Sequence, residues 1–328
     1  MLGMGSAMRI GLARLAAFTA CLFMATAASA QTYPTRQIRL VVPFAAGGPA
    51  DLLARVIADE MSKDFGQQVF VDNRPGANTI IGAELVAKAD PDGYTLLMAI
   101  DGTLVMNPFL YSKLSYDPFK DFAPVTLVAR VPSVLEANNS VTANTVQDII
   151  AQEKAKPGTF LMGYSTPTSQ VTGELFNMRA GIKIQLVPYR GGTTQVTGLL
   201  GGEISLGLES VNVALPFARA GKLKIIALTG GERISLAPEI ATVAETLPGF
   251  DLGIWQSIVA PAKTPPAIVN RLHDEIVAVL GREAVRNKLT IAGVEPATSK
   301  SPEDFAAFMR AQAEVRQKVI QAVGIKLD

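Results

Sequence analysis

Short apolar runs alternate with segments of helical periodicity along this chain, and this alternation restricts the possible folds more than any other feature. Residues 38–44 (IRLVVPF) form an apolar run, and residues 51–65 then carry apolar side chains at 52, 53, 56, 57 and 61. That spacing places them on one face of a helix. The alternation recurs in both halves of the chain and is typical of an α/β fold with largely parallel sheets.

The pattern also predicts the individual elements. We expect strands at 38–44, 68–73, 95–100, 159–164, 183–188, 203–208 and 222–229. We expect helices at 51–65, 79–89, 145–155, 169–180 and 193–200, with further helices beginning near 265 and after 301. The chain has 328 residues, of which 48% are hydrophobic, so it is long enough for two domains.

Charge and rare residues exclude several classes of function. Lys and Arg number 30 and Asp and Glu number 29, so no basic surplus indicates a nucleic-acid partner. The only cysteine is Cys21, and the only histidine is His273, which we expect on the surface beside the apolar stripe of its helix. Cys/His zinc sites and His-dependent triads need more ligands than these. We therefore expect no metal site, no cofactor and no catalytic residues.

The first 30 residues have the features of a secretory signal peptide. Arg9 and Arg14 accompany an uncharged apolar stretch at 15–28, and residues 28–30 (ASA) match an A-x-A cleavage site. We predict cleavage after Ala30 and, in a bacterium with an outer membrane, a periplasmic protein. The alternative is an uncleaved membrane anchor, although the stretch is short for a membrane span.

Glycine pairs occur at two strand-to-helix connections. Residues 42–48 (VPFAAGG) and 187–192 (VPYRGG) each place Pro at a strand end, then an aromatic residue and two glycines before a helix. Backbone N–H groups at helix starts attract anions. On two facing domains, such connections suit a small anion with negative charge at both ends. The alternative is a pair of turns that bind nothing.

The first connection does not fit a nucleotide-binding motif. A P-loop ends in Gly-Lys-Ser/Thr, whereas Gly48 is followed by Pro49, Ala50 and Asp51. The dinucleotide fingerprint requires G-x-G-x-x-G, and this loop has adjacent glycines only. What remains is a cradle of backbone N–H groups in which Asp51 caps the first helical turn.

A series of ordered motifs resembles one family of exported proteins. The motifs include YP at 33–34, PFAAGG at 43–48, NRPGA at 73–77, IGAE at 81–84, PDGYT at 91–95, GELF at 173–176 and PEIATVAE at 238–245. Together they resemble the substrate-binding proteins of tripartite tricarboxylate transporters, also called Bug receptors, over residues 33–328.

The resemblance implies a periplasmic binding protein type II-like fold, in which two α/β domains surround an interdomain ligand cleft. We expect domain 1 at 31–128 and 254–328 and domain 2 at 129–253. Family members typically bind small carboxylates and hand them to an inner-membrane permease. The expected partners are therefore a small organic acid and the permease subunits of a tripartite tricarboxylate transporter, with no nucleic acid and a monomeric chain. Two alternatives stay open: presentation of the ligand to a sensor kinase without transport, and an exported enzyme.

The resemblance also transfers a set of ligand-binding positions to this chain. These are Phe44, Ala45, Gly47, Gly48, Pro49, Ala50, Asp51, Asp101, Tyr164, Ser165, Thr166, Thr168, Ser169, Gln170, Tyr189, Arg190, Gly191, Gly192 and Glu209.

Some of these positions depart from the family pattern. Pro49 and Ala50 stand where the family usually has Gly and Ser or Thr, which removes an N–H donor and a hydroxyl. Gln170 stands where His is common, and Glu209 where Asp is more frequent. Asp101 replaces the usual Ser or Thr. It either faces the cleft, which favours a cationic or hydrogen-bond-donating ligand, or caps the turn at Gly102.

Arg190 stands where the family usually has Lys. It either makes a bidentate contact with a carboxylate or lies at a solvated rim.

Overall fold

The chain forms two mixed β-sheets, and it passes twice from one sheet to the other. The computed structural model describes residues 33–189, 191–234 and 236–327. The strands are β1 Ile38–Val42, β2 Val69–Asn73, β3 Thr95–Ile100, β4 Phe122–Val131, β5 Ser133–Asn138, β6 Leu161–Tyr164, β7 Gln185–Pro188, β8 Leu206–Ser210, β9 Leu223–Leu228, β10 Ile254–Pro261 and β11 Glu295–Pro296. The helices are α1 Pro49–Phe65, α2 Ile80–Ala87, α3 Asn107–Leu110, α4 Val146–Ala155, α5 Pro167–Ala180, α6 Gly192–Gly201, α7 Val211–Arg219, α8 Pro266–Gly281, α9 Glu283–Ile291 and α10 Pro302–Val323.

We call the six-stranded sheet, with order β11-β4-β10-β3-β1-β2, and its helices lobe one. Lobe two is built on the five-stranded sheet β7-β6-β8-β5-β9. In lobe one, β1 pairs in parallel with β2 and β3, and β10 is antiparallel to β3 and β4. In lobe two, β6 is parallel to β7 and β8, whereas β5 is antiparallel to β8 and β9. The predicted α/β fold class is confirmed, but the expectation of largely parallel sheets is wrong, because β10 and β5 run antiparallel to both of their neighbours.

The two crossings between the sheets lie side by side. β4 ends at Val131 and, after Pro132, β5 begins at Ser133. The return crossing reaches lobe one at Ile254, which pairs with Val131 in the ladder between β10 and β4. Ser133 pairs with Ser210, the last residue of β8. The sheet therefore changes at Pro132 and just before Ile254, while the domain boundaries expected at 128/129 and 253/254 stay predictions.

These pairings determine which edges of the two sheets border the crossings. β4 runs in the same direction as β3 because both are antiparallel to β10, so the chain leaves lobe one at the carboxyl edge of its parallel strands. It enters lobe two beside the carboxyl end of β8, and β6 and β7 end at the same edge. Ligands of open α/β sheets bind at such carboxyl edges.

Each lobe has a buried apolar cluster, and the last helix contributes to both. In α10, Phe305 and Met309 belong to the cluster that contains Trp255 of lobe one. Val319 and Ile320, further along the same helix, belong to the cluster of lobe two. A helix of 22 residues is about 33 Å long, enough to reach both clusters. Helix α10 therefore joins the lobes in addition to the two crossings.

Most predicted elements are present, with ends shifted by a few residues. β3 has the predicted bounds 95–100. Helix α4 begins after Thr145, whose Oγ1 accepts the N–H of Asp148 at 3.1 Å. The prediction omitted the antiparallel strands β4, β5, β10 and β11 and helices α3, α7 and α9.

The expected surface position of His273 is wrong. The residue is 7% exposed, and its Nε2 lies 3.1 Å from the carbonyl oxygen of Ser299. The segment that leads into α10 covers this flank of α8, and the periodicity of α8 contains no information about that distant segment.

No helix in the described ranges combines the length and apolar character that a membrane crossing requires. The predicted signal peptide and its cleavage site after Ala30 lie outside the described residues.

Candidate functional site

The first glycine loop is shaped by the buried carboxylate of Asp51. Its Oδ2 accepts the N–H of Gly47 at 2.9 Å and Nε of Arg55 at 2.9 Å. Its Oδ1 accepts Nδ2 of Asn73 at 3.0 Å, and the same amide donates to the carbonyl oxygen of Phe44 at 3.0 Å. Asp51 thus ties the loop to the end of β2.

The role predicted for Asp51, capping the first turn of α1, is corrected by these contacts. No side chain caps that helix, and the carboxylate binds the loop ahead of it. Burial alone raises the pKa of Asp51, but hydrogen bonds from Arg55, Gly47 and Asn73 outweigh it and lower the pKa to about 2. Asp51 therefore stays ionised and preserves the loop conformation.

The rest of this loop is open to solvent. Ala45, Ala46 and Gly47 are exposed, and Gly47 has φ +88°, a conformation that favours glycine. The N–H groups of Ala50 and Asp51 lie in the first turn of α1, where no intrahelical acceptor exists. The loop therefore presents a helix start to the carboxyl edge of lobe one.

The predicted positions between residues 164 and 170 form a hydroxyl-rich cap at the start of α5. Thr166 Oγ1 accepts the N–H of Ser169 at 3.1 Å. Ser169 Oγ accepts the N–H groups of Thr166 at 3.0 Å and Ser165 at 3.1 Å. Thr168 is buried and donates to Sδ of Met106, in lobe one, at 3.5 Å. The cap is thus occupied by its own side chains, while Tyr164 and Gln170 beside it are partly buried.

The second glycine connection, at residues 187–192, leads into α6. Tyr189 donates from its hydroxyl to Glu203 at 3.2 Å and packs over Gly198, where an added Cβ would lie 2.5 Å from that hydroxyl oxygen. The Tyr189 side chain therefore packs against α6 and stabilises its position. Gly191 has φ +111° and precedes the first residue of the helix, Gly192. Arg190 lies outside the described residues.

Glu209, at the end of β8, lies against the start of α6. A Cβ on Gly192 would lie 2.3 Å from its Oε2, so only glycine permits this approach. Oε2 accepts the hydroxyl of Ser165 at 3.1 Å. Oε1 accepts the N–H of Ser210 at 2.8 Å and its hydroxyl at 2.9 Å. The carboxylate is therefore held in place by neutral donors.

Glu209 is part of a pocket of about 30 Å³ beside the crossings. Five predicted site residues line it: Ser165, Thr166, Thr168, Ser169 and Glu209. Five that sequence analysis did not identify also line it: Ser133, Thr172, Leu208, Ser210 and Ile254. Ile254 stands at the domain boundary that the sequence predicts between residues 253 and 254. The positions of Ser133 and Ser210 follow from the pairing of β5 with β8, which no local pattern indicates.

A second carboxyl group lies behind Glu209. Glu136 on β5 is 0% exposed, and its Oε1 lies 3.5 Å from Nε2 of Gln195. Burial raises its pKa to about 8, and the negative charge of Glu209 adds to the effect. Glu136 is therefore largely protonated at neutral pH.

Asp101 is fully buried, as is its partner Arg316 on α10. The two side chains lie 3.4 Å apart, and Arg316 also donates to the carbonyl oxygen of Gly253 at 3.3 Å. Burial raises the pKa of Asp101, while the positive charge of Arg316 opposes that rise. The expectation that Asp101 faces the cleft or caps the turn omitted this ion pair, which joins β3, α10 and the return crossing.

Known proteins of similar sequence and structure share this architecture. The sequence model of the family described as tripartite tricarboxylate transporter family receptor matches residues 53–325 of this chain. Protein BugT of Bordetella pertussis is 33% identical over 320 residues, which cover 96% of this chain and 98% of BugT.

Two solved structures extend the comparison. R. palustris Rpa4515 with adipate is 35% identical, has a TM-score of 0.74 and covers 90% of this chain and 99% of its own. MatC of Rhodopseudomonas palustris with bound malate is 30% identical and has a TM-score of 0.70. The match covers 88% of this chain and 100% of the MatC chain. These similarities confirm the resemblance drawn from the sequence motifs. The chain belongs to the tripartite tricarboxylate transporter receptor family and is a periplasmic solute-binding receptor of that family.

Proposed function

We propose that this receptor captures a small carboxylate between its two lobes and delivers it to the inner-membrane permease of a tripartite tricarboxylate transporter. The observation that carries the proposal is the position of the pocket containing Glu209. It lies at the carboxyl edge of lobe two, beside both crossings, and its lining includes Ser133 and Ile254 from the crossings themselves. A ligand held there contacts the segments about which the lobes move.

The loop of lobe one supplies the complementary surface. It places the first-turn N–H groups of α1 at the carboxyl edge of lobe one, and helix N-termini attract carboxylates. Arg55, whose side chain is 51% exposed, lies next to this loop through its pair with Asp51. The charge of Arg55 is balanced by Asp51, so the attraction of this edge for a carboxylate comes from the N–H groups at the start of α1.

Closure follows from the two-crossing arrangement. A ligand that contacts both edges binds the closed form more tightly than the open form, so binding shifts the population toward closure. Thr168 of lobe two already meets Met106 of lobe one, which marks one point of contact. The relatives solved with adipate and with malate support a carboxylate ligand class.

Thermal unfolding tests ligand capture directly. The mature protein is screened against mono-, di- and tricarboxylates, aromatic acids and amino acids. A ligand at 100 times its Kd adds about 2.7 kcal/mol of stability, which raises the melting temperature by a few degrees. The absence of a shift with every carboxylate would contradict the proposal.

Gly48→Val tests the loop. An added Cβ at Gly48 meets only the carbonyl oxygen of Ala45, at 3.9 Å, so the fold should tolerate the change while the side chain obstructs the loop. We expect ligand-induced stabilisation to disappear. Gly281→Val is the control, because that glycine is exposed at the end of α8 and a Cβ there meets nothing within 4 Å. Delivery is tested by uptake of the identified ligand in cells with and without the receptor gene.

A further inference from the structure

We propose that the contact between Gly293 of lobe one and Asn212 of lobe two is the stop that limits how far the lobes open. Such a stop rests on the two-lobe motion of the proposed function, although it does not depend on the class of ligand. Its basis is a glycine at which the lobes come closer together than a Cβ would allow.

The contact is tight at the level of the backbone. Gly293 has φ +75° and lies between α9 and β11. An added Cβ there would lie 2.7 Å from Cβ of Asn212 and 3.6 Å from its Cα. The backbone determines the position of a Cβ, so neither Cβ could rotate away from the other. A side chain at 293 would therefore force the two segments apart by about 1 Å to reach an ordinary carbon–carbon distance.

In lobe one, hydrogen bonds and burial hold the contacting turn in place. The N–H of Gly293 donates to the carbonyl oxygen of Thr290 at 2.9 Å, and the N–H of Val294 donates to that of Leu289 at 3.0 Å. Leu289 and Val294 are both buried. The turn is therefore a fixed part of lobe one.

In lobe two, the contacting segment is tied to a crossing. Val211, which precedes Asn212 at the start of α7, is buried. Its N–H donates to the carbonyl oxygen of Pro132, in the first crossing, at 2.8 Å. A force on Asn212 therefore acts on lobe two directly beside the segment about which the lobes move.

In lobe one, the contact and the first glycine loop lie on opposite sides of the crossings. β11 begins two residues after Gly293 and is at one edge of the six-stranded sheet, whereas β1 lies toward the other edge. The crossing strands β4 and β10 are between them. When the lobes rotate about the crossings, approach on the β11 side therefore accompanies separation on the β1 side, which opens the ligand cleft.

Space for this rotation exists beside the contact. A cavity of about 210 Å³ is lined by residues of both lobes, among them Glu295 in lobe one and Ile234 in lobe two. Ile234 packs in the same apolar cluster as Val211, so the cavity and the start of α7 lie on the same face of lobe two. The lobes can therefore approach each other here until Gly293 meets Asn212.

Asn at position 293 tests the stop, because Asn tolerates a left-handed backbone better than most residues that have a Cβ. Gly293→Asn should hold the lobes apart at the contact and shift the ligand-free protein toward the closed form. Gly221→Asn is the matched control. Gly221 also follows a helix, has φ +68° and donates to the carbonyl oxygen three positions earlier, but a Cβ there meets nothing within 4 Å.

Distances between two nitroxide labels, measured by pulsed electron resonance without ligand, report the angle between the lobes. The labels are attached through Gln68→Cys, just before β2, and Gln185→Cys on β7, both of which are exposed positions. Cys21 is the only native cysteine and precedes the predicted cleavage site.

The sheet order gives the size of the expected change. β11 lies about one and a half strand spacings from the midpoint of β4 and β10, and β2 lies about three and a half on the other side. A separation of about 1 Å at the contact should therefore shorten the label distance by about 2 Å in Gly293→Asn. We expect no change in Gly221→Asn. Asn212→Gly should lengthen the distance because it removes the stop, and combining it with Gly293→Asn should restore the parent value.

An unchanged distance in Gly293→Asn, or equal shortening in Gly221→Asn, overturns the inference. Circular dichroism verifies that each variant folds. Should Gly293→Asn fail to fold, Asn212→Gly decides, and an unchanged distance in that variant overturns the inference as well. Because every distance is measured without ligand, these outcomes leave carboxylate capture intact, whereas the binding of no carboxylate contradicts only the proposed function.

Discussion

Replacing Glu136 by Gln should remove a pH-dependent loss of stability from the ligand-free receptor. Glu136 is 0% exposed on β5, and its Oε2 has no hydrogen-bond partner within the described residues. Space for the side chain exists because residue 207 is glycine, where an added Cβ would lie 2.7 Å from Glu136 Oε1. Burial, together with the charge of Glu209, raises its pKa from 4.5 to about 8.

The direction of the effect follows from proton linkage. Because the pKa is higher in the folded state, the folded protein retains the Glu136 proton over a range in which the unfolded chain releases it. The stabilisation is therefore complete below pH 4.5 and is lost as the pH rises to about 8. At 1.36 kcal/mol per pH unit, the loss amounts to about 5 kcal/mol. Gln has the shape of the protonated side chain and does not titrate, so the variant should lack this loss.

Guanidinium unfolding between pH 5 and pH 9 measures the difference. We expect similar free energies of unfolding for the variant and the wild type at pH 5. Relative to the wild type, the variant should gain about 1.4 kcal/mol of stability for each pH unit above that, levelling off near pH 8 to 9. Glu239→Gln, on an exposed turn, is the control and should give a curve parallel to the wild type.

Glu209→Gln supplies an independent check. It removes the second cause of the raised pKa, so the pH at which the wild-type curve levels off should move below 8. If the free energies of Glu136→Gln and the wild type stay parallel from pH 5 to pH 9, then Glu136 does not hold a proton in the folded state and the reasoning fails.

Three further substitutions give separate predictions. Arg316→Met should destabilise the protein by about 3 to 5 kcal/mol in denaturant unfolding because it leaves Asp101 buried without a partner, and the added change Asp101→Asn should recover part of this loss. Asp51→Asn should lower the free energy of unfolding by about 2 kcal/mol above pH 4. Because the pKa of Asp51 is lower in the folded state, this difference from the wild type should vanish as the pH falls to about 2. A difference that stays constant in an acid titration would contradict this reasoning. Gly192→Ala should displace the Glu209 carboxylate and reduce the stabilisation that a bound carboxylate gives in thermal unfolding, and an unchanged shift would show that this contact does not position Glu209.

Local patterns were sufficient for much of the fold. The period-2 and period-3.6 signals that predict β3 and α4 arise within single elements, and caps such as Thr145 act on residues three positions away. The antiparallel strands β4, β5 and β10 were omitted, and these strands carry or border the crossings. Their pairing partners lie far along the chain, so the sequence around each one does not reveal them.

The first glycine loop shows the same contrast between what local sequence predicts and what distant contacts decide. The motif at 42–48 and the family resemblance placed a ligand-facing loop after β1, and the structure has a helix start there. The contact between Asp51 and Asn73 spans 22 residues, and it changes Asp51 from a helix cap into the residue that holds the loop. His273 was misplaced for a similar reason, because Ser299 covers it from another segment.

The α/β class, the order of most elements and the family membership are properties of the sequence, because periodicity and ordered motifs are local. The charge character of the site is a property of the tertiary structure. Asp101 is neutralised by Arg316, which is 215 residues away, and Glu209 becomes the charged group of the pocket because glycine at 192 admits it to the start of α6. Electrostatic interactions depend on distance in space and on burial, so the balance between these carboxylates is set only when the two sheets and α10 come together.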